Sequence, residues 1–176
     1  MSHLDSISKG GDLRSLGTVS QVVVHVATQE EFDELIIGLY SNDRKTAMRT
    51  ADAIEKITRV NISYLHKYKT SIIELFETAA NIEIKWHLAL LVARLMLNTQ
   101  ELKMIWHKLT FWVTDKKESR IVRVNSLQAL YNLLPQCQEL AMDLEHTVET
   151  INKENIPSIN ARIKKLRKVT GAHTKK

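Results

Sequence analysis

Three polar side chains recur at a fixed interval: Arg49, His87 and Asn125 stand 38 residues apart. A second column, Asp52, Leu90 and Gln128, and a third, Lys56, Arg94 and Asn132, keep the same interval. Residues three, four and seven apart share a helix face, so the spacing predicts a polar ladder crossing three successive helices. Such a ladder offers hydrogen bonds to a peptide backbone, a carboxylate or a phosphate. The plainer reading is a solvated helix surface, with Asp52 and Lys56 as an exposed i,i+4 pair. The dipeptide Trp86-His87 is repeated at Trp106-His107, and Trp112 follows six residues later. A groove-facing Trp86 would stack on a base or anchor a peptide, whereas Trp106 and Trp112 are expected to pack between helices. The candidate binding set is therefore Arg49, Asp52, Lys56, Trp86, His87, Arg94, Asn125, Gln128 and Asn132.

Catalytic signatures are missing from the sequence. There is no G-x-S-x-G elbow, no phosphate loop and no dinucleotide fingerprint, and Gly10-Gly11 has no strand before it. HExxH is absent, and a single cysteine rules out the usual structural zinc sets. No catalytic residue, metal or cofactor is expected. Cys137 follows Pro135 near an expected helix start, a place that can lower a thiol pKa, but a buried structural cysteine is the more ordinary reading. Asn61-Ile62-Ser63 matches a glycosylation sequon that a cytoplasmic protein would not use.

With 176 residues, 44% of them hydrophobic, the chain is long enough for one domain with a substantial core. Five Gly and two Pro favour long helices over turn-rich β architectures. The lone Cys137, a start without an apolar leader and the lack of a membrane-length apolar run together predict a cytoplasmic protein with no membrane partner. The net charge of +5 is uneven: seven Lys/Arg and no acid fall between Arg162 and Lys176. Taking those seven from 25 leaves 18 basic residues against 20 acidic, a net of −2 for the rest. The basic character thus belongs to the end of the chain, where a solvated last helix is its simplest explanation.

The elements that would position the ladder follow from the same period. Segments Thr46–Ile57, Ile84–Leu95 and Val122–Leu133 align without gaps, with Ile54, Val92 and Leu130 in one apolar column and Ile57, Leu95 and Leu133 in another. A second amphipathic helix precedes each, marked by Phe32, Leu35, Ile36 and Leu39; by Leu65, Tyr68, Ile72 and Phe76; and by Leu102, Ile105, Leu109 and Val113. Leu140, Leu144, Val148 and Ile151 define a further helix, paired with a last one carrying Ile159, Ile163, Leu166 and Val169. Thr28…Glu31, Asn98…Glu101 and Asp115…Glu118 have capping-box spacing, and Pro135 suits the first turn of a following helix. The expected pairs are residues 29–60, 61–97, 98–135 and 136–170, within one domain over 18–170. Residues 1–17 form a loose arm and 171–176 a basic tail. Residues 18–27 are strand-like in their valines, while their context favours a short capping helix.

The three aligned segments resemble the second helix of HEAT repeats, which opens with an aliphatic–basic pair and continues through small residues to spaced leucines. Ile84-Lys85 and Val122-Arg123 match that opening, and Thr46-Ala47 departs from it. Segments Arg49–Lys56, Lys85–His87 and Ser119–Arg123 also resemble a group of small bacterial HEAT-like proteins with no assigned activity. The resemblance covers about Thr28 to Val169. It implies an all-α, armadillo-like right-handed α–α superhelix and macromolecular binding, with no catalytic residue to carry over. The expected function is a non-enzymatic scaffold or adaptor that binds a protein or peptide on the second-helix face. The alternative is nucleic-acid binding through Arg/Lys on that face and the basic C-terminal helix. A helper enzyme acting on a bound prosthetic group is a third reading without positive support.

Overall fold

The structure is a computed structural model, described for residues 26–173, with side chains described to residue 168. The expected N-terminal arm, most of the ambiguous 18–27 segment and the last three residues of the tail lie outside the described residues. Among those described, eight α-helices and no strand are present: α1 (Gln29–Ile36), α2 (Arg44–Val60), α3 (Lys69–Thr78), α4 (Ile82–Val92), α5 (Thr99–Thr114), α6 (Arg120–Leu133), α7 (Ala141–Asn152) and α8 (Pro157–His173). The protein is all-α, as its period predicts. The chain divides into two compact units, residues 1–91 and 92–176.

In the first unit, α1 packs on α2, and the 3₁₀ segment Ile62–Tyr68 packs on both α2 and α3. Leu65 and Tyr68, expected at the start of an α-helix, lie in this tighter segment. Phe32, Leu35, Ile54, Leu65, Ile72, Phe76, Leu88 and Leu91 form a fully buried core. The Phe32 ring meets those of Tyr64 and Tyr68 at centroid distances of 5.3 and 6.1 Å. Asp33 on α1 accepts hydrogen bonds from Lys67, Tyr68 (2.6 Å) and Gln29 (2.8 Å). An Arg44–Glu83 ion pair at 2.5 Å ties α2 to α4.

In the second unit, α5 packs against α6 and α7, and α8 packs against α6 and α7. First helices therefore touch first helices, and second helices touch second. Trp106 and Trp112 are buried, and Trp106 donates its indole N–H to Asp143 at 2.6 Å, bridging α5 and α7. Gln136 binds the Leu95 carbonyl and the Leu97 amide at 2.8 and 3.0 Å, closing the connection before α5.

Two of the three capping boxes form. Thr28 and Asn98 each accept from the amide three residues on, and Glu31 and Glu101 reach back to the cap backbone. Asp115 does not open α6; it ends α5 and turns the chain by accepting from Lys117 N, and Ser119 caps α6 instead. Pro135 likewise does not open α7, although it occupies the first turn of a short 3₁₀ helix, Leu134–Gln136. It sits in a 3₁₀ turn at the end of α6, and the extended Cys137 separates it from α7. Removing the α5 cap by Asn98→Ala is expected to cost about 1 kcal/mol in urea unfolding, whereas Asp115→Ala should leave the start of α6 intact. Equal losses in the two variants would contradict this assignment of caps.

Candidate binding surface

Helix α2 is enclosed on almost every side. Small residues Ala47, Ala51 and Ala53 let neighbours approach closely, and Thr46, Arg49, Thr50, Glu55 and Thr58 are buried with them. One stripe stays open at helical spacing: Lys45, Met48, Asp52 and Lys56. Helix α6 repeats the pattern, its open stripe being Ile121, Val124, Gln128 and Asn132.

The nine expected residues divide along this line. Arg49, His87 and Asn125 are 2%, 1% and 9% exposed, so the first column lies in the interior and not on a solvent-facing ladder. Arg49 stands one heptad before Lys56, and 3.6 residues per turn rotates it about 20° further toward the neighbouring helices. Asn125 spends its side-chain amide on its own helix, donating to the Ile121 carbonyl at 2.9 Å. Within the first unit, Asp52 and Lys56 form a half-buried ion pair at 2.8 Å, and Trp86 is half-buried. Leu90 of the middle column is buried. Within the second unit, Arg94 lies half-buried in the turn after α4, and Gln128 donates to Asn132 at 2.9 Å.

His87 is the strongest electrostatic anomaly. Burial, and then the positive charges of Lys56 and Arg59, hold its pKa down at about 3. Its Nδ1 has no hydrogen-bond partner among the described residues. It is a neutral core histidine at physiological pH.

Arg162, expected only as part of the basic C-terminal run, stands outside the nine-residue set. It reaches from α8 to donate to Gln128 Oε1 at 2.8 Å, extending the open stripe of the second unit. The signal was available: Arg162 stands 38 residues after Val124, which itself stands 38 after Trp86. Burial pulls the Arg162 guanidinium pKa below its ordinary value.

Among the described residues, no group of three or more His, Cys, Asp or Glu is placed to share a metal ion. No helix among them is long and apolar enough to cross a membrane. Cys137 is half-buried and free. No protein-family model, curated protein or solved structure matches the chain.

Proposed function

We propose that this chain is a non-enzymatic scaffold or adaptor, a short HEAT-like α-solenoid that holds a protein or peptide on the open stripe of its second helices. The pairing of first with first and second with second helices inside the second unit is what stacked helical hairpins require. The unpaired Cys137 suits a reducing, cytoplasmic setting.

One observation carries the reading. Helices α2 and α6, enclosed elsewhere, each leave open a stripe: Lys45, Met48, Asp52 and Lys56 in the first unit, and Ile121, Val124, Gln128 and Asn132 in the second, apolar beside polar in both. An apolar contact beside a hydrogen-bonding group is the composition of a protein interface rather than of a uniformly basic groove.

The test is site-specific photo-crosslinking in cells, with the photoreactive residue at Met48 or Gln128 and, as controls, at the exposed first-helix positions Glu30 and Lys103. A partner should be captured from the stripe and not from the controls. Lys56→Glu with Asn132→Arg should then weaken its binding at least tenfold, about 1.4 kcal/mol, while the helical circular dichroism is unchanged. Equal capture at stripe and control positions, or full binding by the double variant, would overturn the proposal. Arg49 is unsuited as a probe, because charge reversal at a buried position tests the fold.

A further inference from the structure

Helix α8 carries a different kind of surface from the stripe. Lys164, Lys165, Arg167 and Lys168 are all exposed on it. On the side turned to α7 lies a cavity of about 440 Å³, lined by Asn152, Asn160, Ile163, Lys164, Arg167 and Lys168. No carboxylate is among these residues. Glu145 on α7 is the nearest acid in the hydrogen-bonding pattern, and Arg167 engages it. That ion pair joins α7 to α8 beside the cavity wall.

We propose that this cavity binds a phosphate group. Asn160, Lys164 and Lys168 follow one another at single-turn spacing, which sets their side chains about 5–6 Å apart along one face. Each ammonium has three donors and each amide two, so the wall is rich in donors while its fixed charge is positive. A single carboxylate would neutralise one cation and accept at two oxygens. A phosphate carries up to two charges and more acceptor oxygens, so it answers both ammonium groups and an amide at once. The composition of the chain points the same way. Its seven-cation run without an acid begins at Arg162, and the remainder of the sequence is net negative. The phosphate can come from a discrete phosphorylated compound or from a nucleic-acid backbone, and the two are separable.

The full-length protein, labelled with ¹⁵N, is titrated at low salt with inorganic pyrophosphate and, separately, with a single-stranded oligothymidylate. Amide shifts are expected at Asn160, Lys164, Arg167 and Lys168, and Lys164→Gln with Lys168→Gln should weaken binding at least tenfold. Both lysines are exposed, so this variant should keep the parent spectrum elsewhere. Saturation by pyrophosphate as readily as by the strand assigns the site to discrete phosphates. Binding of the strand alone assigns it to a backbone, with an affinity falling against salt at a logarithmic slope of about −2 for three contacts. No shift from either probe, or shifts that survive in the double variant, would overturn the proposal.

Discussion

Arg123→Ala is expected to destabilise the second unit by about 3–5 kcal/mol, the cost of breaking a buried pair from one side. The guanidinium is 2% exposed. Its Nε donates to the Val113 carbonyl at 2.7 Å, and its Nη2 bonds Glu154 Oε1 at 2.8 Å. One side chain therefore joins the end of α5, the start of α6 and the turn between α7 and α8. That turn is held by Asn155 at a positive φ of 54°, where a branched residue would be strained. Alanine would leave the Glu154 carboxylate, whose side chain is 14% exposed, without its cation. The Val113 carbonyl would lose a donor as well. Arg123→Met with Glu154→Leu removes both charges together, and such exchanges are often close to neutral. The double variant should recover most of the loss. Urea unfolding followed by tryptophan fluorescence in a Trp86→Phe background checks this, since Trp106 and Trp112 both report from the second unit. A loss below 1 kcal/mol for Arg123→Ala, or no recovery in the double variant, would show that the pair does not hold the turn.

The aliphatic–basic pair Val122-Arg123 was legible as a motif, but its job was not. Sequence spacing locates the pair on a helix, whereas its partners, Val113 and Glu154, stand 10 and 31 residues away. The helices themselves were readable because the apolar period fixes which residues share a face: the cores built from Phe32, Ile54, Ile72, Val92, Leu109, Leu130 and Ile151 use the expected columns. The phase of the polar face was harder to read. Arg49 and Lys56 differ by only about 20° around the helix, yet one is buried and the other opens to solvent. Polar type alone pointed outward for both. The small residues and threonines around Arg49 were the better signal, since a helix built of Ala47, Thr50, Ala51 and Ala53 can be approached from several sides. Pro135 shows the same limit at a helix end, because a fixed φ is compatible with a closing 3₁₀ turn as well as an opening α-turn.

The second large effect is acid lability centred on His87. In the unfolded chain this imidazole titrates at its ordinary value of 6.5, and in the folded protein it is held at about 3. Between those values the unfolded state binds the proton and the native state does not, so stability falls as pH falls. The full contribution is present above pH 6.5, declines by about 1.4 kcal/mol for each unit below it, and levels off as the native imidazole protonates near pH 3. From pH 7.5 to 5.0 the loss amounts to roughly 2 kcal/mol. Asp33 does not confuse this window. Its carboxylate, held at about 2 by hydrogen bonds from Lys67, Tyr68 and Gln29, loses its stabilising effect only as pH drops below the ordinary 3.8 toward that value. The physical cause at His87 is first its burial and second the cations Lys56 and Arg59. His87→Leu, which fills a similar apolar space and carries no proton, should therefore flatten the profile between pH 7.5 and 5.0. Lys56→Gln should leave most of the slope in place. Urea unfolding at half-unit steps of pH reads the difference directly. Parallel profiles for the parent and His87→Leu would mean that the acid-labile group lies elsewhere.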